Sequence, residues 1–397
     1  MALGVFVIAN DFTALSVAIP RIEADLHTSL NRAQCVINGY ALVFGVLIVT
    51  GGRLADLFGR RRMFMIGASI FGVFSLLAGV MPTVELLIVF RALMGVGGAI
   101  IWPAAVFVTA REVPENAKES AERGIDYPGI ALLSAGAVAV LLALDLGTDG
   151  GFGRPLIVGL IAAGVLLLVL FFLVERREGA KALVPANVTR NVVFSAACLT
   201  VLLMSAIFFS ALLYLPQFME KNLTFSALRS GAGLLPLMII FAVTSFAAGW
   251  LYGRLGPKVV VTAGTACLAV GIFLLSGLTS RSSYSSLVPG MVVLGIGVGL
   301  FYSSVTTAAV TALDPSQASL AGGIVYMCQI AGGATGLGLN TAIVLSAASL
   351  SDGIKVAFRV DAVLALFGTI VSVWLVHGPT ASAAHSASPH AHHRLRI

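Results

Sequence analysis

Two ionisable residues stand inside stretches where a lipid-crossing helix seldom carries any: Asp11, in the apolar run 2–20, and Arg91, in the run 84–109. A charge at the bilayer centre costs on the order of 3 kcal/mol on insertion scales, so such residues are rare and mark function by default. A carboxyl held in hydrocarbon can take up and release a proton, because burial opposes its charged form and a nearby cation favours it. With the N-terminus in the cytoplasm, a helical rise puts Arg91 ~10 Å below the outer edge of the hydrocarbon and Asp11 ~13 Å above the inner edge. The spacing predicts Asp11 as a proton-binding carboxylate whose affinity Arg91 tunes. A static buried ion pair, and an Arg91 that snorkels to the outer surface, are the competing readings.

A second cluster lies in "GRLADLFGRRR", Gly52 to Arg62. Gly52, Asp56, Gly59, Arg60 and Arg61 fit G-x-x-x-D-x-x-G-R-R. Two glycines allow close helix approach through a tight turn, and the acid and the basic residues can latch neighbouring helices in one conformation. A basic turn that only fixes membrane orientation is the plainer alternative. A weaker copy, "GWLYGRLGPK" from Gly249 to Lys258, recurs 197 residues later with Gly253 where Asp56 stood. The lost acid predicts that only the first copy latches.

These residues need a membrane to frame them. The 397-residue chain is 58% hydrophobic and 11% charged, too apolar for a water-soluble domain, where about 25% is charged. Twelve stretches are long enough to span, roughly 2–20, 32–54, 63–81, 84–109, 128–146, 155–174, 192–216, 230–251, 258–279, 287–311, 318–348 and 356–376. With both ends inside, fifteen of the 24 Lys and Arg fall in cytoplasmic segments and eight outside, an excess that favours this orientation. The net charge of +6 reads as orientation, not as an acidic or nucleic-acid partner. No cleavable leader is visible. Cys35, Cys198, Cys267 and Cys328 form no C-x-x-C pair and read as free thiols, with neither a disulfide frame nor a metal site. The tail after Pro379 reads as disordered; metal binding by its His385, His390, His392 and His393 is the alternative. No G-x-x-x-x-G-K-[ST] loop occurs, so ATP is not the driver. Asp11 is read as the one deep acid, which leaves too few groups for a membrane-embedded enzyme.

The loop at Gly52–Arg62 resembles the signature loop of the major facilitator superfamily, and its weaker copy fits the two six-helix halves of that fold. "RALMGVGGA", Arg91 to Ala99, resembles the family's fourth-span motif, with Met94 where glutamine is common. "NDFTALSVAIP", Asn10 to Pro20, resembles the first-span motif of the fourteen-span drug:proton antiporter branch. "LYLPQF" and "AGGIVYMCQIAGGATG" are similar to the branch's seventh and penultimate spans. The resemblance implies an all-α polytopic membrane protein with two pseudo-symmetric helical bundles. It also implies proton-coupled efflux of small organic compounds or drugs by alternating access, without cofactor and not as an enzyme, by a monomer in the cell membrane. Proton-coupled metabolite uptake and a non-transporting relic stay open. Candidate substrate contacts are Asn38, Met94, Trp102, Phe208, Tyr214, Gln217, Tyr302, Tyr326 and Gln329, since aromatics, Met and amides suit apolar or cationic compounds. Packing or a lipid-facing position is the plainer reading of each one alone.

The segment after span 4 departs from the branch. Arg111 to Tyr127 holds eight charges in seventeen residues, and "VPENAKESAERGIDYPG" resembles the loop that follows the branch's sixth span. No G-P-x-x-G-G occurs anywhere. Residues 128–174 therefore read as the branch's extra hairpin, with the usual fifth and sixth spans absent; a true twelve-span protein is the competing reading. The expected organisation is a bundle of spans 1–4 (1–110), a cytoplasmic loop (111–127), a two-helix hairpin (128–174), a second cytoplasmic loop (175–191), a six-span bundle (192–378) and a tail (379–397).

Overall fold

The computed structural model describes residues 22, 25–28, 30–106, 127–150, 153–178, 184, 186–314 and 317–375. Among them all regular structure is helical: α1 (Leu30–Phe58), α2 (Arg60–Ala78), α3 (Val84–Val106), α4 (Tyr127–Gly150), α5 (Pro155–Glu178), the short α6 (Ala186–Arg190), α7 (Val192–Asn222), the short α8 (Ala227–Ala232), α9 (Leu235–Leu275), α10 (Tyr284–Thr311), α11 (Ala318–Leu345) and α12 (Leu350–Leu375). Eight helical stretches among the described residues are long and apolar enough to cross a membrane. The chain is a multi-pass membrane protein. Asp11 and the predicted first span lie outside the described residues.

Helices dominate because lipid cannot satisfy backbone N–H and C=O groups, so each spanning segment must close its own hydrogen bonds. Breaks fall where the sequence supplies a residue that tolerates the turn. Gly59 separates α1 from α2 with φ 92, a conformation that a side chain would strain. Within α9 the predicted spans 8 and 9 are two helices that meet at a kink, at Gly256 with φ 80, followed by Pro257. Gly59 and Gly256 sit 197 residues apart, so the sequence repeat survives as a repeated positive-φ turn.

The chain divides into two compact units. The first runs to Asn191 and includes Leu313–Ala331; the second holds Val192–Ala312 and the residues from Gly332 on. The division cuts α11 at Ala331 and Gly332, inside the glycine-rich stretch. In the first unit α3 packs against α1 and α2, and α4 against α5 and α1. A Cβ on Gly95 would come within 2.7 Å of the Tyr40 carbonyl, and one on Gly97 within 2.6 Å of the Phe71 amide, so small residues set how closely α3 meets both neighbours. Ala55, Met63, Ile100 and Ala104 close the ends of α1, α2 and α3 around one apolar cluster, which anchors the helix end carrying Asp56. In the second unit α9 packs along α10 and α12, and α12 and α10 pack on α7. Exposed Leu156, Val165, Leu166 and Leu173 on α5, and Val363, Leu366 and Ile370 on α12, form faces suited to lipid.

Candidate functional site

The last turn of α1 presents Asp56 to the first turn of α11, 264 residues further along the chain. Its Oδ2 accepts a hydrogen bond from the Leu320 N–H at 2.8 Å, and Oδ1 one from the Ser319 N–H at 3.3 Å. Helix α11 begins at Ala318, so these are first-turn amides with no partner inside their own helix. A carboxylate placed there satisfies them and meets the positive end of the helix dipole, as an N-cap would, but from another helix. Gly52, one turn before Asp56, allows the approach: a Cβ there would collide with the Ser319 carbonyl. Gly323 on α11 similarly leaves 2.7 Å between its missing Cβ and the Ile48 carbonyl. Arg60 reaches back over the Gly59 turn and donates from Nε and Nη2 to Asp56 Oδ1, at 3.3 and 3.2 Å. The Asp56 side chain is 2% exposed and that of Arg60 17%. Arg61 is exposed and takes no part in the bonds to Asp56.

The second copy of the motif makes no such cluster. Nothing lies within 4 Å of a Cβ built on Gly249 or Gly253, and Arg254 instead stacks over the exposed Trp250 ring at 4.1 Å.

Arg91 is buried, 4% exposed, eight residues into α3. A guanidinium that snorkelled to the surface would be exposed. Instead it lies over the Tyr40 ring at 4.9 Å, and its Nη1 contacts Met94 Sδ at 3.7 Å. Tyr40 is fully buried, stacked on Phe44 and edge-on to Phe71. The cation is therefore held against a π face inside the bundle, an attraction that strengthens when water is excluded.

The candidate substrate residues fall into two sets. In the first unit Trp102 and Tyr326 meet at 4.9 Å, both near Phe44, and Met94 is buried beside Arg91. Gln329 is half-buried on α11; Asn38 lies in α1. In the second unit Phe208 and Tyr302 meet at 5.9 Å, and the Tyr302 hydroxyl shares a 2.7 Å hydrogen bond with Ser205. The Tyr214 hydroxyl bonds to Thr341 at 2.8 Å, and Gln217 is half-buried one turn further along α7. Cys198, Cys267 and Cys328 form no disulfide among the described residues.

Sequence reasoning missed one group. Asp361 on α12 is fully buried, and the Asn340 amide donates to both of its oxygens at 3.0 and 3.1 Å. Asp11 is therefore not the one deep acid. The signal was there, since Asp361 lies within the apolar run 356–376, but the start of the span was misplaced. Lys355 and Arg359 read as belonging to an outer loop, whereas α12 begins at Leu350 and places Asp361 three turns inside.

Comparison with known proteins supplies the wider frame. The family model described as Major Facilitator Superfamily matches residues 1–336 and 237–396. The chain is 29% identical to the puromycin resistance protein pur8 of Streptomyces alboniger, over 94% of this chain and 84% of that protein. It is 27% identical to the tetracenomycin C resistance and export protein of Streptomyces glaucescens, over 85% of this chain and 73% of that one. It is 26% identical to the cephamycin export protein CmcT of Amycolatopsis lactamdurans, over 97% and 92%. Among solved structures a variant of the nucleoside transporter NupG matches with a TM-score of 0.51 at 14% identity, covering 92% of this chain and 96% of that one, which speaks to the fold alone. The pur8 alignment runs over 436 positions yet takes in 94% of the 397 residues here, about 373, which leaves about 63 positions without a counterpart. The CmcT alignment, 446 positions for 97% of the chain or about 385 residues, leaves about 61.

Proposed function

This chain belongs to the Major Facilitator Superfamily, and on that premise we propose that it exports small organic compounds, antibiotic-like in class, in exchange for protons. It is a membrane transporter of small molecules, not an enzyme. The observation that carries the direction is the similarity to resistance and export proteins over nearly the whole chain. Proton coupling rests on chemistry: Asp11 is the carboxylate that binds the proton, and Arg91, clamped on Tyr40 in α3, is the cation that lowers its affinity. A proton entering down a 100 mV potential releases ~2.3 kcal/mol, enough to drive a modest uphill export. The Asp56 bonds to Ser319 and Leu320 form the latch of one conformational state, broken and remade in each cycle. Trp102–Tyr326 with Met94, Gln329 and Asn38 in the first unit, and Phe208–Tyr302 with Tyr214 and Gln217 in the second, each supply an adaptable surface for drug-like substrates. The protein acts as a monomer in the cell membrane with both termini in the cytoplasm.

The chain also lacks one helical hairpin of its relatives, between Val106 and Tyr127. About 60 unmatched alignment positions equal two spans of ~20 residues with their loops. Removing one round trip across the membrane leaves every later loop on its own side, so orientation is unchanged. Sequencing the locus tests this reading: a continuous gene without the G-P-x-x-G-G stretch supports it, and recovery of that stretch refutes it. Accumulation assays in cells stripped of endogenous pumps test the function. Export lowers the cellular content of a fluorescent cationic dye in a way that collapses with the proton gradient; energised uptake reverses the sign, and unchanged content identifies a non-transporting relic.

A further inference from the structure

The Asp361 pocket in the second unit has a role that the reading built on Asp11 does not use. Asp361 lies ~17 Å along α12 from Leu350 and ~21 Å from Leu375, near the middle of the helix. Asp361, Asn340 and Ser210 are all fully buried, and Tyr214 is 3% exposed. No ion pair to Asp361 exists among the described residues. On its own helix Arg359 is exposed and turned ~200° away, and Lys355 is half-buried ~9 Å nearer the start of α12. Helix α7 offers Ser210 beside the carboxyl and Tyr214, close enough to sense its charge. Helix α11 offers Asn340 and Thr341, neither ionisable. On α9 the antiparallel register set by the Thr262–Ser372 hydrogen bond brings the apolar turn around the buried Ile272 to this depth.

The hydrogen-bond account of this pocket is one donor short. Asn340 spends its amide N–H on the two carboxylate oxygens, which leaves its own Oδ1 buried without a donor, and the Ser210 hydroxyl beside them is buried with no hydrogen bond of its own. Buried acceptors without donors are rare in folded proteins. One proton on Asp361 closes the account. The carboxylic O–H then donates to Asn340 Oδ1 as the amide swings side-on to the carboxyl, the amide N–H donates to the other carboxyl oxygen, and the Ser210 hydroxyl turns its own O–H to that oxygen. A metal ion is a poorer fit, because a hard cation gathers about six oxygens. The groups at the carboxyl itself, Asp361, Asn340 and Ser210, offer four from side chains, the hydroxyls of Tyr214 and Thr341 are bonded to each other, and α11 and α12 run through the pocket as helices whose carbonyls are already engaged. An organic cation has no room among fully buried groups.

We propose that Asp361, held by Asn340 and Ser210, is a second proton-binding site of this transporter, separate in sequence from Asp11. Protonation forms one O–H bond on the carboxylate, with the proton drawn from water when the pocket opens and returned to water on release. The proposal extends the proton-coupled reading but does not need it, since the group titrates whether or not transport follows.

The test is labelling of the purified full-length protein in lipid with a hydrophobic carbodiimide, which reacts with protonated carboxyls in apolar surroundings, followed by peptide mass spectrometry. Across about pH 5 to pH 9 the adduct on the peptide containing Asp361 is expected to fall at least ten-fold as pH rises. In Asp11→Asn that titration is expected to persist; in Asp361→Asn the adduct is absent. The infrared band of a protonated carboxyl in wild type, followed through the same range, gives the answer even where Asp361→Asn does not insert. A labelling level and band that stay flat with pH would overturn the proposal, as would protection by sodium at fixed pH, which marks a metal-ion site. Loss of substrate-driven proton flux in wild type with the titration intact would count against export coupling through Asp11 and leave Asp361 standing.

Discussion

Replacing Asp56 with asparagine tests the inter-helix cap most sharply. The side chain keeps its size, so Gly52 and the apolar cluster at Ala55 are undisturbed, but the charge goes and one acceptor becomes a donor. That donor would face the Ser319 N–H or the Arg60 guanidinium, both of which already donate to Asp56 Oδ1. Hydrogen bonds to a charged group contribute ~1.5–3 kcal/mol each, and a partly buried charge at a helix N-terminus up to ~2 kcal/mol. Asparagine retains one neutral bond, to Leu320, so the net loss is ~2–3 kcal/mol. At ~1.4 kcal/mol per factor of ten, the amides of Ser319 and Leu320 open ~30- to 150-fold more often. Hydrogen–deuterium exchange on peptides from the start of α11 reads this directly, because no bond within that helix protects first-turn amides. Arg60→Ala provides the scale: a part-exposed pair four residues apart contributes ~0.5 kcal/mol, so exchange should rise only about two-fold. Unchanged exchange in Asp56→Asn, or an equal response in Arg60→Ala, would refute the cap.

Three further outcomes follow from the same geometry. Gly52→Ala forces a methyl against the Ser319 carbonyl and should cost ~1–3 kcal/mol, seen as a lower unfolding temperature in detergent, whereas its repeat counterpart Gly249→Ala, with open space around it, should be silent. Arg91→Lys keeps the charge but loses the planar face over Tyr40; a loss of ~1–2 kcal/mol should lower export ~5- to 30-fold at unchanged expression, measured as dye efflux. Phe208→Ala or Trp102→Ala should raise the concentration for half-maximal transport of cationic dyes several-fold more than that of neutral compounds, if these rings contact substrate through their π faces.

The parts of this molecule that could be read in advance are those where one residue type is required by local physics. Gly59 and Gly256 were legible as turn residues because a positive φ excludes other side chains, and the 197-residue repeat pairs them. Arg91 was legible because no soluble logic explains a guanidinium in an apolar run, and Asp56 because its spacing to Gly52, Gly59, Arg60 and Arg61 fits G-x-x-x-D-x-x-G-R-R. Its acceptor role toward α11 was not legible: Ser319 and Leu320 contribute only backbone N–H groups, which every residue but proline carries. The break between the predicted eighth and ninth spans was legible for the same reason as the Gly59 turn, since Gly256 and Pro257 interrupt the helix there. Asp361 was passed over although the run 356–376 contains it, since Lys355 and Arg359 just before it made that stretch read as the membrane edge. Charge near a helix end is ambiguous in one dimension; burial on a particular face resolves it.

The central claim is that a proton on Asp11 couples to export. Its most direct test is proton movement into proteoliposomes on addition of an exported compound, recorded with a pH-sensitive dye for wild type beside Asp11→Asn. The account predicts substrate-driven proton flux in wild type, and in Asp11→Asn binding of the compound without proton flux. Equal flux in the two proteins would contradict it.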